Sequence, residues 1–492
     1  MYTEQAWIYK RAVLSPAKIA LIDVHTGERW SYKDLTMNIS KWVRYFELQQ
    51  IEKGERIVVL SHNCLELFAI LFACGLRGLI YAPLNYRLSD VELQYIIRDC
   101  EPALVVFDAD HQDISDNIEN VERLLMTSVT NDNVSYCPSK TDWSATDSWM
   151  MIYTGGTTGK PKGVVLSFDA VNWNAINTII SWGLNDHDCT LNYMPLFHTG
   201  GLNALCLPLL MAGGTIVIGN RFNAEEALHS LNTYKTTISL FVPTMYQAML
   251  ETSYFKDATF PTVKVFLSGG APCPKSIYDA FEQRGYLFKE GYGLTEAGPN
   301  NFFIHPEEAR EKKGSVGKSM QFNEVKVVNE VGDICRANEV GELYLAGKHV
   351  FTKYWRNEEE TNRTLVDGWL KTGDLAIVDE DGDHFIVGRR KEMIISGGEN
   401  VYPQEVEQCL LLHANVREAA VIGVTDEKWG ECVTAFITCK NSRHFVELEL
   451  INFCKETLGS YKVPKRIFAL EELPKTDVGK IDKKRLLDFT LM

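Results

Sequence analysis

The sequence lacks most of the marks of a specialised class. No stretch is long and apolar enough to span a bilayer. Twelve cysteines are scattered along 492 residues with no Cys-x-x-Cys pair, against the usual structural zinc spacings. Positive charge is in deficit. Fifty Lys and Arg face 65 Asp and Glu, a net −15, which argues against a nucleic-acid partner, whose phosphates need a basic face. The opening Met1-Tyr2-Thr3-Glu4-Gln5 has neither the basic nor the apolar region of a secretory signal. The cysteines are therefore expected to be reduced thiols of a cytoplasmic protein.

What is present is an ordinary globular composition, 45% hydrophobic and 23% charged, at a length that calls for more than one domain. The first landmark is residues 153–164, Tyr-Thr-Gly-Gly-Thr-Thr-Gly-Lys-Pro-Lys-Gly-Val, between apolar runs that read as strands. Glycines let backbone come close to a ligand, and successive N–H groups in such a turn form an anion-binding concavity. Thr154, Thr157 and Thr158 add hydroxyl donors, and Lys160 and Lys162 add charge. A Walker A loop is excluded. Gly159-Lys160 runs into Pro161 rather than Ser or Thr and a helix, so this loop joins two strands.

Residues 1 to about 150 alternate helix and strand patterns. Ser31 reads as a helix cap, Ser89 and Glu92 as a capping box, and residues 56–60 and 103–107 as buried strands. Such alternation argues a mostly parallel, helix-covered sheet. Residues 108–147 read as a polar, irregular connection. Further on, the strand 265–268 ends in Gly269-Gly270-Ala271-Pro272, a position where ligands of α/β sheets sit. Gly291-Tyr292-Gly293 offers a flat platform for a purine, with Glu296 a hard oxygen donor nearby. From residue 314 the chain changes to short Gly-punctuated strands, a β-rich subdomain. A final stretch of about a hundred residues reads as a compact α+β domain of two or three strands and two helices.

Several of these segments together resemble the adenylate-forming superfamily of acyl-CoA synthetases, aryl-CoA ligases, luciferases and adenylation domains. They are the glycine loop, Pro195-Leu196-Phe197-His198-Thr199-Gly200-Gly201, Gly269-Gly270-Ala271-Pro272, residues 290–299, Thr372-Gly373-Asp374, residues 388–392 and Lys475-Thr476-Asp477-Val478-Gly479-Lys480. Each alone is an ordinary turn, but their shared order covers about residues 5–486.

The resemblance implies an α/β fold: a large N-terminal adenylate-forming domain (α/β sheets plus the β-rich subdomain) and a small mobile α+β C-terminal domain. The expected boundaries are 1–388, a hinge at 389–392, and 393–492. It implies ATP contacts from Thr154, Gly155, Gly156, Thr157, Thr158, Gly159 and Lys162. Gly270, Ala271, Pro272, Gly291, Tyr292 and Gly293 would hold adenine, with Asp374 on the ribose and Arg389 on ribose or phosphate. Thr295 would touch the α-phosphate, Glu296 would bind Mg²⁺, and His198 would meet the substrate carboxylate. Phe197, His198, Thr199, Gly269 and Asn300 would border the acyl pocket, and Gly397 and Gly398 the pantetheine path. Lys480 would bridge carboxylate and α-phosphate, and Lys391 would be the pivot. Glu392 stands where Asp is usual, a mild departure.

The function implied is an ATP- and Mg²⁺-dependent acid–thiol ligase. It makes an acyl-adenylate and passes the acyl group to coenzyme A, releasing AMP and pyrophosphate. An aliphatic acid of medium length or longer is the first substrate expected, with an aryl or o-succinylbenzoate-type acid close behind. Alternatives are transfer to an acyl carrier protein and a catalytically silent homologue, the latter opposed by Lys480, Glu296, Arg389 and Asp374. A homodimer is the assembly considered.

Overall fold

The protein is described from a computed structural model covering residues 6–118, 120–130, 144–155, 161–426, 428–440, 445–476 and 480–490. Among these, three seven-stranded sheets build the large N-terminal part and a five-stranded sheet the C-terminal domain. No described helix is long and apolar enough to cross a membrane.

One sheet pairs Arg56–Leu60 in parallel with Ile80–Pro83 and Leu104–Phe107, because the helices Glu66–Arg77 and Asp90–Cys100 carry the chain back each time. The capping is as expected. Ser31 accepts from the Asp34 N–H at 3.1 Å and Ser89 from Glu92 at 3.4 Å, and both carboxylates bond back to complete the boxes. Asn63, ahead of the helix Glu66–Arg77, is engaged elsewhere. Its side chain donates to the Met194 and Gly219 carbonyls and accepts from the Leu196 N–H, pinning the turn that leads to His198. Residues 108–147 are more ordered than expected where described. They include a helix, Gln112–Asp116, and a strand, Glu122–Leu125, that extends the sheet in parallel beside Leu104–Phe107. Its four residues, Glu-Arg-Leu-Leu, lack the alternation of a half-buried strand, which hid it from the hydrophobic pattern.

The same sheet carries the antiparallel hairpin Ser148–Thr154 and Lys162–Ser167, with Thr154 paired to Lys162. The glycine loop therefore joins two strands, as its proline required. A second sheet runs Cys189–Asn192, Thr215–Ile218, Ile238–Phe241, Val265–Ser268 and Phe288–Glu290, all parallel. Their carboxyl ends release three of the marked segments at one edge. The third sheet is antiparallel and matches the β-rich subdomain. Its strands Trp369–Val378 and His384–Arg389 place Asp374 directly opposite Arg389.

After Arg389 comes a short turn, Arg390–Glu392, and then the C-terminal sheet of Ile394–Ser396, Glu399–Val401, Val416–Asp426, Gly430–Cys439 and Arg466–Ala469. This is more strands than the sequence pattern indicated. The two missed ones, Glu399–Val401 and Arg466–Ala469, are three and four residues long, too short to show a period. Helices Pro403–Leu411 and Glu447–Thr457 complete a separate core around Val406, Leu410, Val421, Val433 and Ile437. Burying aliphatic side chains of this kind contributes about 1.5–3 kcal/mol each, which lets so small a unit hold together.

Candidate active site

The marked segments converge. Tyr292 donates its hydroxyl to Asp374 Oδ2 at 2.6 Å, and Arg389 Nε lies 3.1 Å from Asp374 Oδ1. Asp374 is only 5% exposed and sits after Gly373, whose φ of +71° turns the strand there. Burial and the Asp374 charge push the Tyr292 phenol well above its ordinary value, so it stays a donor. Gly291 donates to the Ser268 carbonyl at 2.9 Å, joining the platform to the Gly269-Gly270 turn. Neither Gly293 nor Gly201 has room for a side chain. A Cβ on Gly293 would lie 2.2 Å from the Pro299 carbonyl carbon, and one on Gly201 2.2 Å from the Pro195 oxygen.

Lys480 arrives from the C-terminal domain. Its Cε is 4.0 Å from where a Cβ on Gly270 would stand, at φ +81°. Loss of solvent lowers the Lys480 pKa, Arg389 lowers it further, and Asp374 opposes both. His198 is lowered to about 4 by burial, with Lys480 and then Arg87 adding positive field. It is therefore a neutral imidazole at physiological pH. The structure thus brings Lys480, Gly270, His198, Asp374, Arg389 and Tyr292 together where the C-terminal domain meets the large part.

Glu296 lies on the short turn Thr295–Ala297 and accepts from the Tyr354 hydroxyl at 2.8 Å. Burial raises its pKa, and the Tyr354 bond opposes that. Lys162, at the foot of the glycine loop, pairs with Glu360 at 2.5 Å. Thr154 ends the first strand of the hairpin and Gly155 follows it, whereas Gly156, Thr157, Thr158 and Gly159 lie outside the described residues.

Residues 8–355 match the AMP-binding enzyme profile, and residues 405–480 match the AMP-binding enzyme C-terminal domain. The chain belongs to the AMP-binding enzyme family. It is 33% identical to a feruloyl-CoA synthase of an Amycolatopsis species over 97% of both chains. The o-succinylbenzoate CoA synthetase of Bacillus subtilis, solved with its acyl-adenylate intermediate, superposes with a TM-score of 0.88 at 30% identity. That match covers 98% of this chain and 97% of the other. The same Bacillus enzyme has been solved with ATP and a magnesium ion, covering 98% of each chain at the same score and identity. A fatty acyl CoA synthetase of Mycobacterium tuberculosis superposes with a TM-score of 0.79 at 27% identity, covering 99% of this chain and 98% of that one.

In this AMP-binding enzyme Phe197 is buried and meets Tyr86 edge-on at 5.5 Å, and Tyr86 in turn meets His62 and His111. Thr199 is buried and accepts from Asn203 at 3.1 Å. Gly269 faces Leu240, whose Cδ1 would be 3.3 Å from a Cβ there. Ala271 and Pro272 follow at the surface of the turn. Asn300 is 4% exposed, and its amide donates to Thr178 at 3.0 Å and the Ala204 carbonyl at 2.8 Å, so it braces the wall from within the core. Gly397 and Gly398 form the tip of a hairpin, at φ +63° and +87°. Gly397 packs on Trp429, within its own domain. Lys391 is exposed in the interdomain turn, where desolvation and Arg389 lower its pKa. Glu392 lies 3.4 Å from Lys483, which pairs with Glu407 at 2.7 Å.

Sequence reasoning missed Tyr354, Glu360, Tyr86 and Glu290. Glu290 accepts from the Cys273 N–H at 2.8 Å and the Tyr278 hydroxyl at 2.9 Å, fastening the Gly269–Cys273 turn from beneath. Only a carboxylate beside a glycine motif marked it in the sequence.

Proposed function

We propose that the enzyme is an ATP-dependent acid–CoA ligase. It activates a carboxylic acid as an acyl-adenylate and transfers the acyl group to coenzyme A, releasing AMP and pyrophosphate. The observation that carries this is the approach of the Lys480 side chain, through its Cε, to Gly270, with its charge felt at His198 and set against Arg389 and Asp374.

A carboxylate attacking an α-phosphate concentrates negative charge, so positioning and fixed positive groups matter more than a base. Lys480 supplies a compact ammonium for the bridging oxygens. Tyr292, Gly291 and Gly293, with Gly270, Ala271 and Pro272, form the adenine platform, and Asp374 and Arg389 hold the ribose. Thr295 and Lys162, with Thr154 and Gly155, address the phosphates, together with Gly156, Thr157, Thr158 and Gly159. His198, Phe197 and Thr199 face the acid beside Gly269. Neutral His198 leaves the acid's charge for Lys480. Glu296 is a hard oxygen donor that Tyr354 orients, and with phosphate oxygens it fits Mg²⁺, which would spread the polyphosphate charge.

For the second half-reaction we assign residues 389–392 as the hinge between 1–388 and 393–492, with rotation about Lys391. That movement would withdraw Lys480 and present Gly397 and Gly398 to the pantetheine arm. The arrangement with Lys480 turned into the cleft corresponds to adenylation.

The aliphatic acid first expected gives way to an aromatic one. Feruloyl and o-succinylbenzoate ligases are among the similar proteins, and the fatty acyl enzyme superposes less closely. A cytoplasmic setting fits the cysteines, which are free thiols among the described residues. The test is acid-dependent pyrophosphate release across aryl, arylalkyl and fatty acids, with and without coenzyme A. An aryl-CoA product supports the reading. A fatty acyl-CoA product overturns the substrate class alone. Pyrophosphate without a CoA thioester replaces coenzyme A by an acyl carrier protein, and no pyrophosphate with any acid overturns the ligase.

A further inference from the structure

We propose that Glu360 is a built-in counter-anion for the phosphate loop: it holds the Lys162 ammonium in place of a phosphate and competes with pyrophosphate for it. This rests on the reading above that the loop takes the ATP phosphates.

Lys162 Nζ lies 2.5 Å from Glu360 Oε1, and both side chains are largely buried, at 14% and 16% exposure. The pair is not a chance meeting of flexible surface groups. The strand Lys353–Tyr354 pairs with Lys162–Ser167, placing Tyr354 opposite Val164. Thr361 then accepts from the Tyr354 N–H at 3.0 Å, and Asn357 caps the following helix by accepting from the Glu360 N–H at 3.1 Å. Glu360 is thus held in register with Lys162 by backbone geometry. The same segment places Tyr354 on Glu296 at 2.8 Å and its ring 5.3 Å beneath the Lys162 ammonium. One short stretch of chain therefore grips both the cation and the carboxylate that flank the phosphates.

The Lys162 ammonium has donors for both Glu360 and a phosphate oxygen, but its single positive charge is then shared between two anions. A partly buried ion pair resists being opened, because the partner left behind is desolvated and unpaired. The Glu360 carboxylate would also repel incoming polyphosphate directly. Arg363, bonded to Glu360 from its exposed side, gives the displaced carboxylate a second cation to turn to. Burial works to raise the Glu360 pKa, but the bonds from Lys162 and Arg363 outweigh it and keep the group ionised. The consequence is weaker retention of pyrophosphate, which favours its departure once the acyl-adenylate has formed. Glu360 is a positioning residue acting through Lys162.

The experiment compares the full chain with Glu360→Gln, Glu360→Asp and Lys162→Ala, measuring the pyrophosphate inhibition constant and the KM for ATP and for the acid. Glu360→Gln is expected to tighten pyrophosphate inhibition by about tenfold and lower the ATP KM, leaving the acid KM unchanged. Glu360→Asp, which keeps the charge, should stay close to the parent enzyme. A merely structural ion pair would give the opposite sign, since its loss would loosen the loop and weaken binding. Unchanged or weaker pyrophosphate inhibition in Glu360→Gln, with Lys162→Ala clearly impaired, overturns the role of Glu360 alone. Unchanged ATP and pyrophosphate constants in Lys162→Ala overturn the phosphate-loop reading, and this proposal with it.

Discussion

Lys480 is one ammonium at the end of a loop, yet it reaches Gly270 across the domain boundary. Removing one preorganised charge contact at a transition state costs about 10²–10³-fold in rate. Lys480→Ala should lose that much in adenylation, read as acid-dependent pyrophosphate exchange, while thioester formation from supplied acyl-adenylate is spared. Glu290 bears on stability instead. Burial raises its pKa from 4.5 to about 8, against the bonds from Tyr278 and Cys273. The folded state therefore binds a proton that the unfolded chain has already lost between those values. Stability from this group is full below about pH 4.5 and declines as pH rises through about 8. Glu290→Gln should flatten the fall of the thermal midpoint across that window by about 2–4 °C. Tyr292, Asp374, Arg389 and Lys480 were legible in the sequence because each sits in a short local motif. Glu360 was not, since its partner is 198 residues away and no local pattern records that meeting.

At the scale of elements, turn chemistry carries the site. Gly201 lets the Thr199–Asn203 helix begin directly after His198, and its Cβ position is filled by Pro195 backbone. Gly397 and Gly398, both at positive φ, make the two-residue hairpin tip with the primed geometry that antiparallel strands favour. Nothing lies within 4 Å of a Cβ on Gly398, so Gly398→Val tests backbone strain and tip shape without a clash. Strain of about 1–3 kcal/mol is expected there. We expect adenylation to persist and thioester formation to fall by about 10–100-fold, measured in separate half-reaction assays. The Ser31 cap, the Ser89–Glu92 capping box and the strand-to-strand glycine loop were legible, because capping residues and proline act locally. The edge strand Glu122–Leu125 and the short strand Glu399–Val401 were not. Their pairing, rather than their own composition, makes them strands.

For the whole molecule, the domains meet through few named contacts. Arg417 of the C-terminal sheet forks onto Glu251 at the end of the Pro243–Glu251 helix, at 3.1 and 2.8 Å. Both side chains are about half exposed, so the pair contributes about 0.2–1 kcal/mol. Arg417→Ala should release the arrangement that holds Lys480 in the cleft. Single-turnover rates should show adenylation slowed, and thioester formation quickened, by about two- to fivefold.

The C-terminal domain keeps a core that shares no residue with those of the sheets before it. Among the described residues, its covalent tie to the large part is the strand leaving at Arg389. Such a unit is a cassette. A joint cut within Arg390–Glu392 would leave acid recognition on one piece and Lys480 with the Gly397-Gly398 hairpin on the other. On the roles proposed above, recombination between relatives at that joint would pass on the two properties separately, the repertoire of acids drifting while the machinery for the thiol was inherited whole.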